Sequence, residues 1–309
     1  MVSVIMLTYN REKMISRAVE SILNQTYKEF EYIIVDNGST DQSGVIADQY
    51  AKQDKRVKVL HINRSNIGIG RNTGLDACTG EYVTFIDDDD WVEPDMLEFL
   101  HQLALQYDAD ISLCGSVKEI DGKIMPNCTF DEKLIMSPDE AVINLLKRKK
   151  YNAAMPSKML KRTLFDKIRF SVEGKYDDIT VVYKYFAEAK KVVGYGLPKY
   201  CFYRHSGNNS AFTTNDYLIT PQQLDEYLKA FRERTIYLSE KLPQISEYAQ
   251  YSEWSYMISM CNKINTANLL ECHRQLERMK KELQKKYNKF YNSPYITEQE
   301  KIYMKKYIE

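Results

Sequence analysis

Long apolar runs are missing from this 309-residue chain: none approaches the roughly 20 residues that cross a bilayer, and Met1 leads directly into a strand pattern instead of a signal peptide. The expectation is a protein made and kept in the cytoplasm. An excess of either charge is missing too. The 43 Lys and Arg are matched by 43 Asp and Glu, so the whole-chain charge gives no support to a nucleic-acid-coating role. No Cys-x-x-Cys pair occurs. Cys78, Cys114, Cys128, Cys201, Cys261 and Cys272 are scattered, mostly among apolar neighbours, and read as reduced, packed thiols instead of a disulfide frame or zinc site. There is no internal repeat and no low-complexity tract. The common phosphate-binding loops are absent as well. No Gly-rich dinucleotide fingerprint follows the first strand, Gly68-Ile69-Gly70 lacks the third glycine, and the Walker Lys-Ser/Thr signature does not occur. A diphosphate would have to be neutralised by metal and basic side chains.

What the chain does have is Tyr82-Val83-Thr84-Phe85-Ile86 running without a turn residue into Asp87-Asp88-Asp89-Asp90-Trp91. A β-branched and aromatic run is a buried strand, so four carboxylates stand at its carboxyl end, where open α/β sheets place their ligands. Adjacent acids repel one another unless something positive lies among them. A hard divalent cation, Mn²⁺ or Mg²⁺, answers that need with carboxylate and phosphate oxygens. An acidic turn capping the helix after Pro94 answers it equally well from these residues alone.

Upstream, Val2–Leu7, Glu31–Val35 and Val57–Ile62 are strand-length apolar runs, separated by helical patterns at Lys13–Leu23 and about Gln42–Gln53. Such alternation predicts a mainly parallel sheet covered on both faces. Thr8-Tyr9-Asn10, Asp36-Asn37-Gly38 and the aspartate tetrad should therefore share one sheet edge. There Tyr9 offers an aromatic face and Asn37 a donor and acceptor pair able to read a base edge; an ordinary loop tyrosine and Asn-Gly turn would also satisfy the sequence.

Four segments in order, Val2–Arg11, Ala18–Tyr27, Ile34–Asp41 and Gly80–Asp90, closely resemble glycosyltransferase family 2. The resemblance implies a GT-A fold binding a nucleotide-sugar and a divalent metal. It places Thr8, Tyr9, Asn10, Asp36, Asn37, Arg71, Asp87 and Asp88 around the donor. Asp89 becomes the principal metal ligand, with Asp87 shared between ribose and metal-bound phosphate, and Asp90 supports them. Asp88 is the member of the tetrad expected to tolerate replacement best. Asn37 stands where many members have a second Asp, and Asn66–Gly74, which contains Arg71-Asn72, stands in apparently shorter form for the family's loop ending in Ala-Arg-Asn.

Later in the chain, Phe170–Asp178 precedes an apolar helical pattern. Asp177 and Asp178 read locally as helix caps, while the resemblance makes Asp178 the general base that deprotonates the acceptor, with Asp177 standing where Glu is usual. Tyr203-Arg204-His205 with Asn209-Ser210 resembles the family's Tyr-Arg segment. On that basis Arg204 and Lys158 would face the departing diphosphate, and His205 would ligate metal or touch phosphate; a lone His is more commonly a surface or satisfied residue. Ser137-Pro138-Asp139-Glu140 is a capping box, and Asp121-Gly122 marks a hairpin.

Beyond Asn215 strand patterns vanish, and helices are expected at about 221–240, 244–270 and 271–290, with a last one from Thr297. Tyr248, Tyr251, Trp254 and Tyr256 read as core or as a homo-oligomer interface. From Arg274 to Lys306 ten basic residues face four acidic ones, which is either a solvated helical surface or a peripheral contact with an anionic membrane.

The expectation is thus an α/β protein: a GT-A-type mainly parallel sheet flanked by helices over residues 1–213, and a helical C-terminal domain over 214–309. Its expected activity is inverting transfer of a hexose from a nucleotide diphosphate, UDP first, to a saccharide, lipid-linked or glycoprotein acceptor in capsule, exopolysaccharide, teichoic acid or glycoprotein glycan synthesis. Two rivals stand beside it. A sugar nucleotidyltransferase would need a Gly-rich loop where Thr8-Tyr9-Asn10-Arg11 stands. A non-catalytic nucleotide-sugar-binding scaffold would bind the donor without transferring it.

Overall fold

The computed structural model describes residues 1–205, 207–208 and 215–309. Asn209 and Ser210, and the expected boundary at 213/214, lie outside the described residues. The chain forms two compact units, Met1–Arg204 and His205–Glu309.

In the first unit β1 (Val2–Thr8) lies between β2 (Phe30–Asp36) and β4 (Tyr82–Asp87), with β3 (Val57–His61) outside β2, all parallel. Both faces of β1 and β2 are covered, which is why their sequences are apolar almost without interruption. The period of two divides β1. Val2, Val4 and Met6 enter a core with Ile15, Val19 and Ile22 of α1 (Ile15–Leu23), Ala47 of α2 (Ser43–Gln53) and Met96, Leu97 and Leu100 of α4 (Met96–Tyr107).

Ile5 and Leu7 meet the opposite layer, and here the expected loop at Asn66–Gly74 gives way to a helix, α3 (Ile67–Ala77), capped by the Asn66 side chain accepting from Ile69 N–H at 2.8 Å. Its glycines let it lie against the sheet. A Cβ on Gly70 would stand 2.2 Å from Leu7 Cδ1, one on Gly74 2.5 Å from Ile5 Cγ2, and one on Gly68 1.9 Å from the Ser171 carbonyl oxygen. Glycines that read as a loop are contact points of a close-packed helix.

Past β4 the sheet becomes mixed. β9 (Lys158–Lys161) runs antiparallel between β4 and β6 (Ile111–Ile120), and β10 (Val192–Arg204) is parallel to β6. Short β5 (Trp91–Val92) and β8 (Lys133–Met136) pair antiparallel with β10, and β7 (Lys123–Cys128) closes the expected hairpin on β6. The parallel expectation holds for β3-β2-β1-β4 and again for β6 and β10, with β9 reversed between them and β5, β7 and β8 antiparallel at the margins. Asp121 and Gly122 take the left-handed conformation at the hairpin, φ 49° and 75°. The Ser137–Glu140 capping box opens α5 (Pro138–Lys147), and α6 spans Asp178–Glu188.

The second unit contains α7 (Pro221–Lys241), α8 (Ser246–Thr266), α9 (His273–Lys285), α10 (Tyr287–Tyr291) and α11 (Glu298–Tyr307). Thr220 caps α7, and Thr297 with Glu300 forms the capping box of α11. Tyr251 and Trp254 pack with Ile258, Leu276, Met279, Leu283, Phe290 and Met304, so the aromatic run is core. All six cysteines are free thiols, buried apart from half-buried Cys128. Among the described residues no helix is long and apolar enough to cross a membrane.

Candidate active site

Parallel pairing brings the carboxyl ends of three strands to one edge: Thr8 is opposite Asp36, and Leu7 opposite Asp87. The loops beyond them interlock. Asn10, at φ 52°, donates its N–H to Ser39 Oγ at 3.1 Å and accepts from Thr40 N–H at 2.8 Å. The Arg11 N–H donates to Ser43 Oγ at 2.7 Å. The Arg64 guanidinium covers the Tyr9 ring, 3.6 Å from its centre.

The tetrad separates into distinct tasks. Asp88, expected to be the most replaceable, accepts from the Tyr9 N–H at 3.1 Å and faces Arg11 Nε at 3.5 Å, so it fastens the loop after β1. Asp90 is buried; it accepts from the Tyr200 hydroxyl at 2.6 Å and the Tyr203 N–H at 2.8 Å. The same Tyr200 hydroxyl receives the Asp87 N–H at 3.1 Å, fixing the end of β4 to β10. Burial, reinforced by the Asp89 charge and opposed by Arg11, pushes Asp88 up to about 7. Burial likewise pushes Asp87 up to about 7 against Arg71, with Asp89, Asp178 and Asp177 adding repulsion.

Carboxylates crowded together and raised by burial suit a cation. Asp87, at the end of β4, and Asp89 beside it could hold one. Among the described residues no three His, Cys, Asp or Glu side chains form a cage for a metal ion.

Arg71 is the centre of the site. Its guanidinium is buried, its Nη1 donates to Asp177 Oδ2 at 2.9 Å and to Asp178 Oδ1, and its Nη2 lies 3.5 Å from Asp87 Oδ1. Burial would weaken its charge, yet the three carboxylates hold its pKa above the ordinary value. Asp177 is raised to about 6, burial leading and Arg71 opposing. Neither aspartate caps α6 through its side chain: Asp177 occupies the cap position without a side-chain bond, and both carboxylates turn to Arg71.

Other expected site residues have structural tasks. Asp36 accepts from the Ser39 N–H at 3.1 Å and lies 2.9 Å from His61 Nδ1. Both ends of the Asn37 amide are engaged by Ser65: Nδ2 donates to its carbonyl at 3.0 Å, and Oδ1 accepts from its N–H and hydroxyl at 2.9 and 2.8 Å. Asn37 is fully buried and fastens the turn before α3, in place of the expected reading of a base edge.

Lys158, expected at the diphosphate, is buried and donates to the Ala154 and Pro156 carbonyls; burial pushes it down to about 8 against the pull of Asp178. Arg204 ends β10 with its guanidinium 5.2 Å from the Phe202 ring centre. His205 is the first residue of the second unit, where its Nδ1 accepts from the Gly207 N–H at 3.1 Å. Tyr200, His61 and Ser65 had no sequence signal, because each acts through a contact between distant segments.

A family model described as Glycosyl transferase family 2 matches residues 3–169. Over 219 residues the chain is 33% identical to glycosyltransferase GlyG of Streptococcus pneumoniae serotype 4 (strain ATCC BAA-334 / TIGR4), covering 67% of this chain and 72% of that protein. The crystal structure of S. aureus TarS 1-349 in complex with UDP-GlcNAc superimposes with a TM-score of 0.68 at 20% identity, covering 86% of this chain and 80% of that 1-349 chain. Mannosyltransferase PcManGT from Pyrobaculum calidifontis, in complex with GDP-Man and Mn²⁺, gives a TM-score of 0.57 at 16% identity, covering 87% of this chain and 73% of that one. At these identities the two structures speak for the fold.

Proposed function

The chain belongs to glycosyltransferase family 2, and from that membership we propose that it is a metal-dependent inverting transferase, moving a sugar from a UDP-linked donor to a saccharide hydroxyl of a growing glycan. The observation that carries this reading is Arg71 bridging Asp87, on the proposed donor side, to Asp178, the proposed base. Support for the donor comes from TarS, whose structure holds UDP-GlcNAc on the same fold, and support for a metal from PcManGT with Mn²⁺ and from the crowded tetrad.

A bound metal would be held by Asp87 and Asp89 and would supply positive charge to the diphosphate. Tyr9 and Asn10 form the floor and wall for the nucleoside, held in shape by Asp36, Asp88, Asn37 and His61. Asp178 takes the proton from the acceptor hydroxyl as that oxygen attacks the anomeric carbon, and Arg71 fixes the carboxylate for the task. Arg204 meets the charge growing on the leaving diphosphate. The acceptor enters from the face opposite the leaving group, so an α-linked donor gives a β-linked product.

The test is transfer by purified full-length protein from a panel of UDP- and GDP-sugars, with and without Mn²⁺. Asp89→Ala is expected to abolish Mn²⁺-dependent turnover. Asp178→Asn should keep donor binding, read by thermal shift, while losing transfer about a hundredfold or more. Full transfer by either variant defeats the role given to that residue.

A further inference from the structure

Helix α9 has two opposed faces. Gln275, Leu276, Met279 and Leu283 are buried in the helical core. Arg274, Arg278, Lys281 and Lys285 are exposed, and at 100° per residue they fall within an arc of about 60° on the other side. Arg278 donates to Asp225 at 2.7 Å, and Lys280 pairs with Glu277 at 3.2 Å. Even so, the helix carries five basic residues, Arg274, Arg278, Lys280, Lys281 and Lys285, against two acidic ones, Glu277 and Glu282. A basic stripe by itself is an ordinary solvated surface.

The second observation lies at its head. Leu270 is 79% exposed, Tyr217 74% and Leu218 49%. They share one end of the unit: the Cys272 thiol donates to the Ile219 carbonyl at 3.8 Å, and Lys263 donates to Asp216 at 2.6 Å. Leu270 opens the 3-10 turn Leu270–Cys272 that leads into α9, so it stands at the head of the stripe. Two leucines and a tyrosine held in water at the end of a cationic helix match the two requirements of an anionic bilayer surface, charge for the headgroups and apolar side chains for the acyl boundary.

We propose that this face, Leu270 with Tyr217 and Leu218 at its head and the Arg274, Arg278, Lys281 and Lys285 stripe behind, docks on the surface of an anionic phospholipid bilayer without crossing it. The docking needs no substrate and stands apart from the transfer chemistry.

Full-length protein is sedimented with vesicles of phosphatidylcholine alone and of phosphatidylcholine with phosphatidylglycerol. Binding to the anionic vesicles only, weakening as salt rises, is expected. Lys281→Glu with Lys285→Glu should lower partitioning at least about tenfold, while Lys52→Glu with Lys55→Glu, the same charge change on the first unit, should leave it within about twofold. Leu270→Ser should lower vesicle binding severalfold without changing retention on immobilised polyphosphate. Unfolding temperatures of all variants are compared, so that a lost fold is recognised; if the Lys281/Lys285 pair does not fold, Arg274→Gln replaces it. No binding, equal binding to neutral vesicles, equal loss in both lysine pairs, or a polyphosphate response that tracks the Leu270→Ser loss each overturns the proposal.

Discussion

One guanidinium meets three carboxylates at Arg71, two of them contributed by a segment more than a hundred positions away. A lysine there would offer a point charge in place of a planar fork and could not hold Asp177, Asp178 and Asp87 together. Arg71→Lys is therefore expected to fold, keep the donor KM within about threefold and lose at least about tenfold in kcat. Arg71→Met should cost on the order of 3–5 kcal/mol in thermal or denaturant unfolding, because it leaves the buried Asp177 charge uncompensated. An unchanged kcat in the lysine variant would show that the base needs no such support.

The aspartate tetrad and the Asp177-Asp178 pair were legible in the sequence, since acids in a row at a strand or helix end are a local pattern. Their divided labour was not. Asp88 fastens the Tyr9 loop and Asp90 binds Tyr200 through contacts spanning 79 and 110 positions, and no window of sequence contains both partners. Asn37 read as a ligand group for the same reason, since Ser65 lies 28 positions away; Lys158 read as one because its partners are backbone carbonyls, which no residue type announces.

At the scale of elements, β1, β2 and β4 were legible because strands buried on both faces are apolar almost throughout, and outer β3 because Val57, Val59 and Leu60 keep a strand pattern beside exposed Lys58 and His61. The reversed direction of β9 was not, because four residues of strand carry no sign of their sense. Helix α3 was hidden by its own glycines, which disfavour helix in isolation and are tolerated where close contact with Ile5, Leu7 and Ser171 requires them.

At the opposite edge of the sheet from the site, Glu31 of β2 ties four segments. It accepts from the Ser3 hydroxyl at 2.7 Å, the Thr79 hydroxyl at 2.8 Å, the Thr79 N–H and Lys58 Nζ at 3.0 Å. Burial would raise its pKa, yet these donors, the Thr79 N–H first, hold it down to about 2. A carboxylate depressed in the folded state contributes its stability fully above the ordinary value near 4.5 and loses it as pH falls toward 2. Glu31→Gln should then cost on the order of 2–3 kcal/mol at pH 7 and progressively less below about pH 4, measured by urea unfolding across that range. A penalty independent of pH would remove the ionised carboxylate from the account.

For the molecule as a whole, equal numbers of basic and acidic residues and a sequence pI near 6.9 leave almost no net repulsion between copies at neutral pH. Solubility in low salt is expected to pass through a minimum close to pH 7 and to rise on either side. A concentration series from pH 6 to pH 9 followed by light scattering checks this, and a solubility that rises steadily through pH 7 would count against it.

The bridge at Arg71 also sets an order of events during synthesis. On a growing chain the arginine and the four aspartates leave the ribosome well before Asp177 and Asp178, which follow the arginine by 106 and 107 positions. Until those arrive the guanidinium has only Asp87 of its three partners. The half of the pocket proposed for the donor can thus take shape before the half that carries the base, so a nascent chain gains charge at this edge before it gains the means to use it.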